Sequence, residues 1–341
     1  MYDIITFGSA TRDIIVKPKN LTVLKYNPAG SNNSTENIES TGVCFPLGSK
    51  IDVEQINFMS GGGGTNTSAT FAKQGFKTAF FGALAEDLAS QEIIKELKNL
   101  KINTGLIQKS NEKPTNHSIV ILDSNKERTI LAYRGASEVL SKNGINFGKL
   151  KAKWFYLAPL SGQMCKAFEE IVDFASKNKI KIAANPGMAQ LSLPHFYDIA
   201  KKIDILILNQ EEASFLTKIT FNREADIFRK IDEICPGIAV MTKGGEGVVV
   251  SDGKQIFKAK PNEKREVVDT TGAGDAFGAG FVSGFIQSKG DIEYAIQLGM
   301  ANSEGCISQI GAKNGLLKKG ENFVKVEVLR EECDNNVCLV K

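Results

Sequence analysis

The sequence predicts an α/β fold built on a mostly parallel sheet. Strand and helix patterns alternate from Trp154 onward, and this alternation is typical of parallel strands joined by helices. The predicted strands end in polar or glycine residues, so ligand groups are expected at the carboxyl edge of the sheet. A chain of 341 residues, 42% hydrophobic and 24% charged, can bury the core that such a fold needs.

Composition excludes several other classes of protein. The net charge of +3 comes from interspersed Lys/Arg and Asp/Glu, without the basic clusters of a nucleic-acid-binding surface. No apolar run reaches the roughly 18 residues of a membrane span. The first residues lack a secretory signal pattern, so a cytoplasmic location is expected. Six scattered cysteines and two distant histidines give little support to a metal cluster or to Ser–His–Asp chemistry.

The first third of the chain contains a short strand and an irregular region. Residues 2–8 form the strand, and Asp13 lies just beyond it; neither a G-x-G-x-x-G fingerprint nor a Walker-type phosphate loop is present. Residues 17–50 contain three prolines and the polar run SNNSTENIEST, which favour irregular chain with short strands. For residues 27–42 alone, a disordered surface insertion is the competing interpretation.

Regular elements follow from residue 61. A run of four glycines, Gly61–Gly64, leads through Asn66 into a helix that ends at Gly75. Predicted next are a strand over 77–84, an amphipathic helix over 85–100, and a hairpin. The strands of this hairpin cover 119–122 and 129–133, and its turn is Asp123-Ser124-Asn125.

The remaining elements give the alternating pattern. Predicted strands cover 154–157, 180–184, 203–208 and 237–241, with helices over 163–177, 222–234 and 291–310.

The stretch VDTTGAGDAFGAGFVSGF, residues 268–285, predicts an anion-binding turn. Phe277, Phe281 and Phe285 recur every four residues, so they share one face of a helix that begins near Asp275. The free N–H groups and positive dipole of this helix start suit a phosphate, and glycines allow its close approach. Gly272, Ala273 and Gly274 would form the anion hole, and Asp275 would act as general base in phosphoryl transfer. A carboxylate at a positive helix end is expected to stay ionised near neutral pH.

The string DTTGAGDAFGAGF resembles the C-terminal signature of the ribokinase (PfkB-type) family of small-molecule kinases, and further matches cover residues 3–316. The resemblance implies a three-layer α/β sandwich with a small β-sheet lid over the sugar site. Residues 1–316 would form the kinase domain, with the lid drawn mainly from 14–60 and part of 115–135. Residues 317–341 would be a C-terminal extension.

The resemblance also implies an acceptor site. GGGGTN matches the family's GG-x-G-x-N motif, so Gly62, Gly63 and Asn66 would contact the substrate together with Asp13. Ribokinases usually carry Lys where this chain has Gly63, which leaves ribose itself open as the substrate. Tyr133-Arg134 matches a pair that meets the substrate carboxylate in some sugar-acid kinases; an exposed arginine paired with a nearby carboxylate is the competing interpretation.

A nucleotide site is implied in the second half of the chain. Asn209 and Glu212 match an N-x-x-E motif that organises Mg²⁺ and phosphates, with Glu212 acting through water, although Asn209 would also cap its helix. Thr242, Gly244 and Gly247 match a loop that contacts the nucleotide. Further along, Asp269 and Thr271 match positions near the monovalent cation, K⁺, of potassium-activated relatives.

The predicted reaction is therefore Mg²⁺-dependent transfer of the ATP γ-phosphate to a hydroxyl of a small sugar or sugar acid. A nucleoside kinase of the same family and a non-catalytic sugar or nucleotide sensor are the alternatives. No nucleic-acid or membrane partner is expected. Because relatives often pair through the lid, a homodimer is a further expectation. The sequence leaves open which hydroxyl is phosphorylated and which nucleotide is the donor.

Overall fold

A computed structural model describes residues 1–26, 40–122, 128–140, 144–262 and 265–332. The predicted hairpin turn at 123–125 and most of the segment 27–42 lie outside these residues, so neither prediction is addressed by the structure.

The strands and helices are numbered along the chain. The strands are β1 Tyr2–Phe7, β2 Thr11–Pro18, β3 Thr22–Tyr26, β4 Ser40–Cys44, β5 Val53–Gly61, β6 Thr78–Phe81, β7 Ala83–Ala85, β8 Gln108–Ser110, β9 Asn116–Leu122, β10 Arg128–Tyr133, β11 Ala152–Leu157, β12 Lys181–Ala184, β13 Ile205–Asn209, β14 Ile238–Thr242, β15 Val248–Ser251, β16 Gln255–Ala259 and β17 Val328–Glu332. The helices are α1 Gly63–Lys73, α2 Leu88–Asn99, α3 Gly135–Val139, α4 Gly162–Lys166, α5 Phe168–Lys177, α6 Met188–Leu191, α7 Phe196–Ala200, α8 Gln210–Thr217, α9 Glu224–Ile234, α10 Ala273–Gln287 and α11 Ile292–Ile307.

Nine strands form the main sheet, in the order β17-β16-β15-β14-β13-β12-β11-β1-β6. The strands from β14 to β6 are parallel, and β15, β16 and β17 extend the sheet antiparallel. Side chains alternate between two cores: Ile5 and Phe7 of β1 belong to one cluster and Ile4 to the other. Helices pack against both faces, so the predicted three-layer α/β class is confirmed.

The lid is a separate four-stranded sheet in the order β10-β9-β2-β5. Its register places Asp13 on β2 between Met59 on β5 and Ser118 on β9, and Ser118 lies opposite Ala132 on β10. Because side chains alternate along a strand, these four positions share one face of the lid. The other face carries the row Phe58, Ile14, Ile119 and Leu131.

The elements differ from the sequence expectations in three places. Helix α1 begins at Gly63, ahead of Asn66, because Gly62 turns the chain with a φ of 95°. The strand expected over 77–84 divides into β6 and β7. The helix expected over 163–177 divides into α4 and α5 at Ala167, whose amide donates to the carbonyl of Met164 three residues back rather than four.

Residues 317–332 lie against the α/β core. β17 pairs with β16 at the edge of the main sheet, and Gln297 exchanges two hydrogen bonds with the backbone of Val326. The division into a domain at 1–316 and an extension at 317–341 stays a prediction. Within the described residues, none of the helices combines the length and apolar character needed to cross a membrane.

Helices α10 and α11 pack at close range because glycines face the contact. A Cβ at Gly284 would lie 2.8 Å from the Cα of Ala295 and 3.2 Å from the Cβ of Leu298. A larger residue there would push the two helices apart, and with them the start of α10.

We predict that Gly284→Ala lowers the free energy of unfolding by about 1–3 kcal/mol, as overpacking of a core usually does. Thermal unfolding followed by circular dichroism measures this loss. Gly274→Ala is the matched control for stability, because a Cβ at Gly274 meets nothing within 4 Å. Equal melting temperatures for Gly284→Ala and wild type would show that the helices tolerate separation.

Candidate active site

The predicted anion turn forms as a bend that leads into α10. Gly272 has a φ of 77°, in the left-handed region, and a Cβ there would lie 2.3 Å from the Cβ of Ala312. The amide of Ala273 donates to the Thr270 carbonyl over 3.3 Å, and Gly274 is exposed, with open space in front of it. The positive end of α10 therefore faces a volume that a phosphate can enter.

Asp275 lies in the first turn of α10 and meets the start of α1. The Asn66 amide nitrogen donates to Asp275 Oδ2 over 2.9 Å. The Asn66 Oδ1 atom is buried and has no hydrogen-bond partner among the described residues, so it can accept a bond from a hydroxyl. A Cβ at Gly63 would lie 3.3 Å from Asp275 Oδ1 and 3.2 Å from the Cβ of Ala158, so the backbone of α1 approaches this carboxylate closely.

The ionisation of Asp275 depends on opposing effects. Burial raises the pKa of Asp275, while the Asn66 hydrogen bond and the charge of Lys313 lower it. The sequence suggested only the helix end as an influence, and the structure adds burial, which acts in the opposite direction. A carboxylate with a raised pKa is a stronger base once it is ionised.

Asp13 lies on the lid face that carries Ser118. Its carboxylate packs against the backbone of Gly61, where a Cβ would lie 2.0 Å from Oδ2, so a larger residue there would displace the Asp13 side chain. Burial raises the pKa of Asp13 to about 6, against lowering by the Ser118 hydroxyl and the charges of Lys313 and Arg12. Gly61 and Gly62 then carry the chain into α1, so the lid carboxylate and the helix with Asn66 share one hinge.

A cavity of about 240 Å³ adjoins the anion turn. Thr242, Gly244 and Gly247 line one side of it, and Ala273 and Gly274 line another. The structure thus brings the predicted nucleotide loop and the anion turn to one cavity. Arg265 and Glu304 also line it, and sequence reasoning assigned neither of them.

Asn209 and Glu212 cap helix α8 reciprocally. The Asn209 side chain accepts from the Glu212 amide over 2.8 Å, and Glu212 Oε2 accepts from the Asn209 amide over 2.9 Å. Burial raises the pKa of Glu212, opposed by this bond to Asn209. Asn209 therefore caps helix α8, as the alternative interpretation of the sequence expected. Mg²⁺ usually takes one or two carboxylates and completes its shell with water and phosphate oxygens, so Glu212 fits a water-mediated contact.

Asp269 and Thr271 meet a guanidinium from the lid. Arg128 Nη1 lies 2.8 Å from Thr271 Oγ1 and 3.4 Å from Asp269 Oδ1. The Asp269 oxygens also accept from the amides of Thr271 and Gly311, each over 2.9 Å. These side-chain oxygens already face N–H donors, so they do not suit K⁺, and we derive no step through such an ion.

The remaining predicted acceptor residue, Arg134, is exposed at the end of β10. It lies two residues beyond Ala132 and two strands away from Asp13. Its expected role at a substrate carboxylate stays a prediction.

Sequence reasoning missed two cations near this site, Arg128 and Lys313. Arg128 lies on the same face of the lid as Ala132 and Ser118. Which face a side chain occupies is known only once the pairing register of the strands is known. Lys313 stands in an unremarkable loop sequence, and nothing in the sequence signals that it is buried.

A model of the family described as pfkB family carbohydrate kinase matches residues 32–319. The chain belongs to this family. The resemblance found in the sequence is thereby confirmed, and the chain is an ATP-dependent carbohydrate kinase.

Individual relatives agree in fold and extent. A ribokinase from Haemophilus influenzae is 25% identical over 323 residues, which cover 91% of this chain and 99% of that protein. A ribokinase structure from Arabidopsis thaliana, complexed with ribose and ATP, has a TM-score of 0.74 at 22% identity and covers 93% of this chain and 96% of its own. A nucleoside kinase structure from Methanocaldococcus jannaschii has a TM-score of 0.72 at 21% identity, covering 92% and 95%.

We predict that Arg128→Ala loosens the lid edge over the anion turn. A charge-assisted, partly exposed hydrogen bond contributes on the order of 1 kcal/mol, so amide hydrogen exchange in β10 should rise about fivefold. Lys17→Ala is the control, because the Lys17–Glu54 pair lies on the same lid with both side chains well exposed. If amide hydrogen exchange in β10 is unchanged in Arg128→Ala, Arg128 does not hold the lid edge against the anion turn.

Proposed function

We propose that this kinase phosphorylates a hydroxyl of a small neutral sugar, with Asp275 as general base. The observation that carries the proposal is the Asn66–Asp275 contact: it holds a carboxylate beside the open amide end of α10, next to the nucleotide cavity. Proton removal and phosphate stabilisation can thus act on neighbouring atoms.

In this mechanism the acceptor lies between the lid and the start of α1. Asp13 and Asn66 Oδ1 would each bind a hydroxyl of the sugar. Asp275 takes the proton of the attacking sugar hydroxyl. At the same time the hydroxyl oxygen forms a bond to the γ-phosphorus of ATP, and the bond between that phosphorus and the bridging oxygen of ADP breaks. The proton stays on Asp275 until the phosphorylated sugar and ADP leave.

The developing phosphoryl charge would be stabilised by the amides of the Gly272–Gly274 turn and the dipole of α10. Mg²⁺, when bound, would supply charge neutralisation on the phosphates, with Glu212 as its nearest predicted protein contact through water. Dependence on K⁺ and a cytoplasmic location stay predictions from the sequence, and the contacts of Arg128 argue against the first.

The charges of the acceptor site favour a neutral sugar over a sugar acid. Two carboxylates, Asp13 and Asp275, face the proposed site, and Arg134, the arginine expected to meet a substrate carboxylate, is exposed at the end of β10. An acidic acceptor would meet like charges at short range. A nucleoside is the second candidate, since this chain has Gly63 where ribokinases usually carry Lys.

The acceptor is identified by following ADP release from purified protein with Mg-ATP and panels of sugars, sugar acids and nucleosides. A neutral sugar as best acceptor supports the proposal. Preference for a sugar acid would contradict the charge argument, and preference for a nucleoside would favour the second candidate. Nucleotide or sugar binding without turnover on any panel would favour a sensor instead.

We predict that Asp275→Asn lowers kcat by about 10²–10⁴-fold, the usual contribution of a general base, and leaves the Kd for ATP nearly unchanged. Steady-state kinetics and calorimetric titration with ATP measure the two quantities. Asp291→Asn is a matched control, because Asp291 only caps α11 through the Tyr294 amide and Asn caps equally well. Near-wild-type turnover in Asp275→Asn would remove this residue from the mechanism.

The lid also supports a homodimer. Its outward face exposes Ile56, Phe58, Ile119, Leu131 and Tyr133, each between 41% and 56% accessible. An apolar face of this kind marks an interaction surface, and among the described strands the lid sheet ends at β5 and β10. We therefore propose that two lids pair through it.

We predict that Phe58→Asp converts a dimer into a monomer, because a buried unpaired carboxylate is costly. Light scattering after gel filtration measures the mass. Phe221→Asp is the control, since Phe221 is similarly exposed, at 59%, but lies outside the lid. A monomeric wild-type protein, or an unchanged dimer after Phe58→Asp, would contradict pairing through this face.

A further inference from the structure

Lys313 is a buried cation between the lid hinge and helix α2. Its Nζ donates to the Ser60 carbonyl over 2.8 Å and to the Ser60 hydroxyl over 2.7 Å, and it lies 3.5 Å from Glu96 Oε1. The residue is only 8% exposed. Removing an ammonium from water costs several kcal/mol, so such a position requires compensating partners.

Its hydrogen bonds reach the point where the lid joins the acceptor helix. Ser60 immediately precedes Gly61, against which the Asp13 carboxylate packs, and the chain then enters α1. In the same loop as Lys313, the amide of Gly311 donates to Asp269, which also accepts from the amide of Thr271, the residue just before the anion turn. This loop therefore ties the lid hinge and the anion turn together.

We propose that Lys313 is a positioning residue, whose ammonium fixes the lid hinge through Ser60 and supplies positive charge to the site that holds Asp13 and Asp275. Both carboxylates lie within electrostatic reach of its charge. Neither donates to or accepts from Lys313 directly among the hydrogen bonds of the described residues, so it acts on them through its field and through Ser60. The catalytic half of this inference rests on the proposed function.

The charges around Lys313 support this role. Burial lowers its own pKa, and Glu96, Asp13 and Asp275 oppose that effect. Burial raises the pKa of Asp13 to about 6, and Lys313 is the first of the charges that lower it. The other titratable or charged groups that face these residues from packed elements are Arg12, Lys73, Tyr156, Asp269 and Cys306.

A purely structural role is the competing explanation. Glu96 pairs with Lys313 and also accepts from Ser60, so the lysine could serve only to complete this cluster. Loss of either partner would then have the same consequence at every pH. A role toward Asp13 and Asp275 instead predicts a pH-dependent loss, which Glu96→Gln does not reproduce.

The first test needs no substrate: melting temperatures of wild type and Lys313→Gln at pH 5 and pH 7.5. Without the lysine, the folded-state pKa values of Asp13 and Asp275 rise further above the ordinary value of 3.8. A carboxyl group whose pKa is higher in the folded than in the unfolded protein stabilises the fold at pH values below its unfolded-state pKa. This stabilisation is lost as pH rises through the folded-state pKa. The deficit of Lys313→Gln relative to wild type should therefore grow by roughly 2–4 °C between the two pH values.

Three variants decide the interpretation. Lys73→Met removes a neighbouring, half-buried lysine that donates to the Lys313 carbonyl, and its deficit should not change with pH. Lys313→Arg should restore the wild-type pattern, because it keeps the charge. In an Asp13→Asn background, the pH-dependent part of the Lys313→Gln deficit should shrink; this double-mutant comparison remains valid when the single variant is only marginally stable.

The second test uses Mg-ATP and the best acceptor of the panels. In Lys313→Gln, the acidic limb of the plot of kcat against pH should move to higher pH by about one pH unit. In Glu96→Gln, this limb should stay in place. A pH-independent deficit in both stability and kcat, matched by Glu96→Gln, would overturn the proposal. If the melting temperatures behave as expected but no acceptor turns over, the electrostatic role stands and the proposed function fails.

Discussion

The hydrogen bond from Asn66 to Asp275 is the contact on which the active-site arrangement depends. It joins the starts of two helices that are 209 residues apart in sequence. For this bond to form, α1 and α10 must both begin at the carboxyl edge of the main sheet and pack side by side. Buried Asn302 reinforces this packing: it donates to Thr70 of α1 and to the Ala276 carbonyl of α10, and it accepts from the amide of Leu317.

A second constraint is electrostatic. The site gathers three carboxylates, Asp13, Asp269 and Asp275, and burial raises the pKa values of Asp13 and Asp275. The structure places a cation near each of them: Arg128 beside Asp269, and Lys313 within reach of Asp13 and Asp275. These cations come from the lid and from the loop after α11. The charge balance of the site therefore exists only when the lid, the sheet and that loop are assembled.

Much of the fold could be predicted from the sequence, because its signals are local. Alternating strand and helix patterns gave the parallel sheet, and the glycines and phenylalanines of residues 268–285 gave helix α10 and its anion turn. The family signature gave the lid. The contact of Asn66 with Asp275 was not predicted as such, although both residues were assigned to the site, since helix packing alone brings them together.

The remaining parts of the site escaped sequence reasoning for physical reasons. Arg128 faces the anion turn because of strand register, and one residue of slip would turn it to the other face of the lid. Lys313 is buried by groups distant in sequence, and neither composition nor periodicity reports such burial. The role expected of Arg134 stays a prediction, because a motif match fixes a residue's position along the chain but not its position relative to Asn66 and Asp275.

The most direct test of the account is a structure of the protein with Mg-ADP, aluminium fluoride and its sugar acceptor. The account predicts that the planar fluoride group, which mimics the phosphoryl in flight, accepts hydrogen bonds from the amides of the Gly272–Gly274 turn. It also predicts an acceptor oxygen within hydrogen-bond distance of an Asp275 oxygen. A fluoride group bound elsewhere, or an acceptor hydroxyl that no Asp275 oxygen can reach, would contradict the mechanism.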